Sequence, residues 1–369
     1  MPMKLTDRIS WLMCNVQRRL FPHLEECFEK PLTDQEKRLV EILEIVEVER
    51  HVLRKASTQW RGRKLREREA IARAFVAKEV YRYTRTIDMI RGLRSTDNLR
   101  SICGFSSRAS VPSESTFSRA FAEFAESGLG KRVHDALVKD WLGNELIGHI
   151  SRDSTAIEGR EKPHVKVKES RKPRKRGRPA RGEQRDQLPA KRLDRQASQS
   201  AEKAIEELPT VCDRGTKKNA KGFITSWTGY KLHLDTNDVG LPISALVTSA
   251  SMHDSQAAIP LMKLTSGKVA YLYELMDAAY DAGRIKETSL QLGHVPIIDR
   301  NPRGKESLPM APHEAERYKG RSVAERANSR LKEDFGAGKV MVKGHSKVTQ
   351  HLMFGVATLF ADQLIRLIG

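Results

Sequence analysis

The sequence has no long uninterrupted apolar run, no Cys-x-x-Cys pair and no apolar stretch at its N-terminus. The most apolar segment, 352–368, is broken by Asp362, Gln363 and Arg366, so it reads as an amphipathic helix packed on protein rather than a membrane span. MPMKLTDRISWLMCN carries no apolar h-region and no cleavage pattern, so a secretory leader is not expected. The four cysteines (Cys14, Cys27, Cys103 and Cys212) are scattered, as isolated reduced thiols are in a cytoplasmic protein, and neither a disulfide framework nor a thiolate zinc site is implied.

What the chain has in excess is positive charge. Lys and Arg number 66 against 47 Asp and Glu, a formal net charge of +19 in 369 residues. That length suffices for two domains and a sizeable core, and the charge points to a polyanionic partner, nucleic acid before anionic membrane. The excess is concentrated. Residues 160–195 hold 15 Lys and Arg and 5 Asp and Glu, a net +10. So few apolar residues interrupt this stretch that a disordered basic arm is expected over about 158–215. Within it Arg176, Gly177, Arg178 and Pro179 resemble an AT-hook, which lies in a narrow minor groove. A basic linker with generic phosphate affinity fits the same residues.

Residues 1–145 repeat their apolar positions at three- and four-residue steps and read as helices. Ser113 or Ser115 suits an N-cap, and Gly128 or Gly130 a helix stop. A solvated bundle and a DNA-reading module of helix-turn-helix character are both compatible with this region. From Leu146 the texture changes to a mixed α/β pattern. ELIGHISRDSTAIEG reads as a strand ending at Asp153, and GYKLHLDTN and LPISALVTSAS as two strands joined at Asn237–Gly240. Helix, strand, helix, strand and two helices follow, with Asp277 at the end of one of the strands.

The stretch 315–335 (AERYKGRSVAERANSRLKEDF) sorts its residues by face when drawn as one helix. At about 100° per residue Tyr318, Arg321, Glu325 and Lys332 share a stripe about 60° wide, opposite Val323, Ala324, Ala327, Leu331 and Phe335. Asp153, Asp277 and Glu325 then form a candidate carboxylate triad. Taken singly each Asp suits a cap or a turn; jointly, with no His or Cys among them, they suit a hard cation such as Mg²⁺ or Mn²⁺. A pair of such ions about 4 Å apart can act on a phosphodiester. Arg321 and Lys332 are placed to bind phosphate. Asp235 is a reserve ligand, Asp254 and Asp281 read as helix caps, and His233 as core or as support behind the site. Trp227 reads as core rather than as a stacking platform.

Tyr318-x2-Arg321-x3-Glu325-x6-Lys332 resembles the Tyr-Arg-Glu-Lys signature of bacterial insertion-sequence transposases of the DDE class. SICGF with PSESTF, SRDSTAI, GYKLHLD, MHDSQAAIPL and LMDAAYDA resemble segments of that family in its order, over roughly 100–369. The resemblance implies a ribonuclease H-like mixed sheet with flanking helices at 146–369, preceded by an all-α region at 1–145 that binds DNA ends and dimerises. It implies that Asp153, Asp277 and Glu325 are catalytic metal ligands for Mg²⁺ or Mn²⁺, as two ions, and that Tyr318, Arg321 and Lys332 contact DNA. The partners implied are terminal inverted repeats, target DNA and a second copy in a synaptic complex, in a bacterial cytoplasm. The activity implied is cleavage at transposon ends followed by strand transfer. A catalytically inactive DNA-binding relative and a nuclease without strand transfer share the same features. The 48-residue interval from Asp277 to Glu325 leaves no room for the β-rich domain some members insert there.

Overall fold

A computed structural model of the chain describes residues 31–53, 68–165, 190–218, 222–301 and 309–368. Arg176 and Arg178, with the AT-hook-like core, lie outside the described residues.

The N-terminal part is helical as expected: α1 (Asp34–Val46), α2 (Arg68–Val80), α3 (Thr86–Ser95), α4 (Asp97–Ile102), α5 (Glu114–Glu126) and α6 (Leu129–Leu142). Helix α1 opens on a capping box, with Thr33 Oγ1 accepting from the Glu36 amide and Glu36 Oε2 accepting from the Thr33 amide. Ser113 stands at the start of α5, but its hydroxyl meets Ser115 and Thr116 rather than a free amide. Gly128, at φ +60°, makes the turn from α5 to α6.

The rest is built on one seven-stranded sheet: β1 (Leu146–Gly159), β2 (Asp213–Lys218), β3 (Ile224–Asn237), β4 (Pro242–Ser249), β5 (Ala270–Met276), β6 (Val295–Ile298) and β7 (Lys339–Val340). Its strand order is β2-β3-β1-β5-β6, with β4 also paired to β3 and β7 to β1. Strand β3 is antiparallel to β1 and to β4, whereas β1, β5 and β6 are parallel. This is the ribonuclease H-like mixed sheet that was expected. The Asn237–Gly240 turn is tied by Asn237 Oδ1, which accepts from the amides of Val239 and Leu241, with Gly240 at φ +85°.

Helices α9 (Ser255–Ser266) and α10 (Gly283–Gln291) cover one face through Ile259, Met262 and Ile285 against Met276 and Ile298. Helices α12 (Ser322–Asp334) and α13 (His345–Ile368) cover the other, where Ala327, Leu331 and Leu352 meet Ile157, Leu232 and Leu234. Helix α13 also enters the core of the N-terminal helices: Phe354 stacks on Phe75 at 5.9 Å, and Phe360 and Leu364 join Leu39, Val133 and Ile243. Its Asp362 is fully buried and ion-paired to Arg38, Arg330 and Arg366. Among the described residues no helix is long and apolar enough to cross a membrane.

Three expectations are corrected. Asp153 does not close its strand; β1 continues six residues further, and Asp153 sits at its middle, paired with Leu234. The proposed disordered span is partly ordered, because 190–215 contains α7 (Arg192–Ser198), α8 (Ala201–Glu206) and the start of β2. Lys263 of α9 holds α7 by donating to the carbonyls of Gln196 and Ala197, and Ala204 and Leu208 supply small buried contacts. Lastly, 315–335 is not one helix. Helix α11 (Pro312–Tyr318) ends at Tyr318, a 3₁₀ turn spans Lys319–Arg321, and α12 begins at Ser322.

Candidate active site

Parallel pairing of β1 and β5 sets Arg152 beside Met276, so the next residues, Asp153 and Asp277, stand side by side. Alternation along β1 turns Arg152 to one face of the sheet and Asp153 to the other. Arg152 is buried with Asp235, at 2.8 and 2.7 Å, and with Glu274 at 3.3 Å. Asp235 is therefore no reserve ligand: it lies on the far face, bound to Arg152 and Thr265. Asp153 faces α12, where Asn328 Nδ2 donates to its Oδ2 at 3.1 Å. Asp277 caps the 3₁₀ turn Ala278–Tyr280 by accepting from the Ala279 amide.

The 3₁₀ turn before α12 delivers Arg321 between these groups. Its Nη2 lies 3.3 Å from Asp153 and 3.7 Å from Asp277, and its Nη1 donates to Glu325 at 2.6 Å. Asp153, Asp277 and Glu325 thus meet, joined through one guanidinium. Gly320 permits that approach, since a Cβ there would stand 2.8 Å from the His149 ring on β1. Arg317, stacked 3.8 Å over Tyr273 of β5, anchors α11 from the other side. Asp153 is 16% and Arg321 15% exposed, whereas Asp277 is 34% and Glu325 58%, so the site is closed at Asp153 and open at Glu325.

Burial pushes the Asp153 carboxyl up, and the Arg321 charge works against that rise. Burial also opposes the Arg321 charge, but Asp153 and its neighbours outweigh it and raise the guanidinium. Tyr318 is half-buried and pushed up to about 12 by burial, in a field that includes Arg321, Asp299, Asp277 and Glu325. Lys332 is lowered by burial and by Lys217, with Asp153 and Glu158 acting in the opposite sense. Tyr318 and Lys332 therefore both lie in the field of the triad's carboxylates, although they stand on separate helices.

Two residues escaped the sequence reading. Asn328 falls at the border between the two faces of the helical projection, about 20° from Arg321, and Tyr280 lies inside LMDAAYDA. Asn328 Oδ1, Arg321 Nε and the Tyr280 hydroxyl are buried without a hydrogen-bond partner. Burial, then Asp254, Asp153 and Asp277, raise the Tyr280 phenol well above its ordinary value. Three orphaned polar atoms beside two carboxylates are what a site completed by an ion or water would leave. Of these, Asn328 Oδ1 and the Tyr280 hydroxyl are oxygens, as a hard cation needs, whereas Arg321 Nε is an N–H donor that suits water or an anion. Among the described residues no group of three His, Cys, Asp or Glu stands ready to hold a metal ion. The three carboxylates are instead ion-paired to Arg321.

The remaining candidates lie elsewhere. Asp254 makes no cap bond; it accepts from Lys231 Nζ at 2.8 Å. Asp281 is not the cap of α10 either, and takes Lys286 Nζ and the Asn301 amide. His233 is buried against Thr248, and half-buried Trp227 donates to the Tyr230 carbonyl.

Comparison with known proteins gives two family matches. Residues 149–360 match the Transposase DDE domain and residues 26–123 the Transposase domain (DUF772). No curated protein and no solved structure matched. The first match spans more than half of the chain, from just before Asp153 to beyond Lys332, and with the second it shows that the chain belongs to the insertion-sequence transposases of the DDE class.

Proposed function

We propose that the protein cuts DNA at the ends of its element and joins the freed 3′-hydroxyl to target DNA, with Asp153, Asp277 and Glu325 as the carboxylates that hold Mg²⁺ or Mn²⁺, as one ion or a pair. The observation that carries the reading is the meeting of these three carboxylates, from β1, β5 and α12, on one shared cation. A divalent ion there supplies charge for the attacking and the leaving oxygen of a phosphodiester.

The protein's part is placement. Asn328 fixes the Asp153 carboxylate and offers its free Oδ1 as a neutral oxygen ligand. Arg321, now paired to carboxylates, is exchanged to a DNA phosphate, which a guanidinium binds by a bidentate fork. Tyr318 and Lys332 contact phosphates on either side of it. In the first step a water oxygen attacks phosphorus at the element's end, the bond to the 3′ oxygen breaks, and that oxygen takes up a proton. In the second the 3′-hydroxyl attacks a target phosphorus, loses its proton and displaces the target's own 3′ oxygen. The helical region at 1–145 binds the terminal inverted repeats, Arg176 and Arg178 add contacts to DNA, and two copies pair two ends.

Asp277→Asn tests this. On end-sequence duplex with Mg²⁺, cleavage is expected to fall at least about 100-fold while duplex binding stays within about twofold. Undiminished cleavage by the variant removes Asp277 from the site. Precleaved ends that yield no joined product reduce the activity to hydrolysis.

A further inference from the structure

A cleft of about 420 Å³ opens at the far end of β1, between the N-terminal helices and the loop leading into α13. Lys78, Arg85, Arg160, Lys343 and Lys347 line it, with Glu114 as the one lining carboxylate. Lys78 and Arg85 already have anionic partners in Glu79 and Asp88. Arg160, Lys343 and Lys347 form no ion pair among the described residues. The backbone segments that carry the first two are tied together: Glu161, next to Arg160, accepts from Tyr230 and takes the amide of Gly344, next to Lys343, at 2.8 Å. Like charges brought to one cleft over Phe75 and Phe121 make an anion site, because a low-dielectric wall strengthens attraction to an incoming phosphate.

The cleft has a definite distance from the triad. From Asp153 to Arg160 is seven residues of extended chain, about 23 Å at 3.3 Å each. Helix α12 packs along β1 between them, with Ala327 and Leu331 in one core cluster with Ile157. B-form DNA rises about 3.4 Å per base step, so the same distance is about seven steps.

Resting on the transposase reading, we propose that this cleft grips the phosphate backbone of the element's end about seven base steps from the bond that is cut. It is a positioning site. It reads no bases and fixes how far the duplex reaches into the triad.

The test uses the full chain and a duplex copied from the element's end, with the variant R160Q/K343Q/K347Q. Each neutralised phosphate contributes about 0.9 to the slope of log affinity against log salt, so the slope is expected to become shallower by nearly 3. Methylphosphonates placed six to eight steps from the cut should weaken wild-type binding severalfold and the variant's not at all. The variant R160K/K343R/K347R should keep the wild-type slope, which separates loss of charge from loss of fold. An unchanged slope in the Gln variant, or interference mapping elsewhere on the duplex, overturns the proposal. Wild-type protein that shows the slope and the interference but does not cut would keep the cleft as a DNA site and sink the catalytic reading instead.

Discussion

Arg321 holds three carboxylates at once, and its removal should have two effects of opposite sign. Arg321→Ala frees Asp153 and Asp277, so Mn²⁺ binding without DNA, measured calorimetrically at pH 8, should tighten about tenfold (about 1.4 kcal/mol). Cleavage should nevertheless fall about 10- to 100-fold, since the phosphate loses its bidentate partner. Weaker Mn²⁺ binding in the variant would show that Arg321 supports the ligands rather than occupying their place. The pH midpoint of ion binding should also move up, because the burial that raises the Asp153 carboxyl is no longer opposed by the guanidinium. At this scale the sequence picks out three carboxylates that the fold brings together at Arg321, and it is silent about their partners. Asp153, Asp277 and Glu325 were legible from residue type and approximate place. That Asp235 faces Arg152 across the sheet depends on the β1–β3 register, which no local pattern encodes. Asp254 and Asp281 have cap-like positions in the sequence, but Lys231 on another strand and Lys286 in the following helix take their side chains.

Element by element, the amphipathic reading of 315–335 holds within α12 and fails across Gly320. Ala324, Ala327 and Leu331 are buried and Glu325 is exposed, as the projection required. The 3₁₀ turn shifts Tyr318 onto a separate helix and turns Arg321 inward. Gly320 marks the break because only hydrogen fits against His149. Gly320→Ala puts a methyl within contact of that ring and should push the turn off β1. Cleavage is expected to drop about tenfold or more, since small displacements of positioning groups are costly, while the melting temperature changes by only a few degrees. A variant that cuts at the wild-type rate would mean that the His149 ring yields and Arg321 keeps its place. The 190–215 part of the charged span departs from the expected disorder for a related reason. Its composition predicts disorder, yet α7, α8 and β2 need little apolar surface of their own, being held by Lys263 and by pairing with β3. Tertiary partners of this kind lie outside any window of sequence.

In the whole molecule, the helical region and the sheet share one apolar core through α13, so buried groups far from the triad set the stability of the site. His134 on α6 is fully buried, with Nε2 donating to the Pro242 carbonyl of β4 and Nδ1 unpartnered. His233 on β3 is equally buried against Thr248, with Nδ1 unpartnered. Burial lowers both rings to about 4 from the ordinary 6.5. Protonation would add a charge and a donor with no acceptor, so the folded state resists a proton that the unfolded chain accepts. A group depressed on folding contributes its stability in full above its unfolded value and loses it as pH falls toward the folded one. Stability should therefore be flat above about pH 7 and fall between pH 6.5 and 4, by about 3 kcal/mol for each ring at 1.36 kcal/mol per pH unit. Two such rings consume a large part of the 5–15 kcal/mol that holds a typical domain together, so acid unfolding should be cooperative and should take the N-terminal helices and the sheet together. Chemical denaturation at half-unit steps from pH 8 to 4 measures the loss. His233→Gln should be less stable at pH 8, yet its stability should depend about half as steeply on pH. A variant with the full wild-type slope would place the proton uptake on other groups.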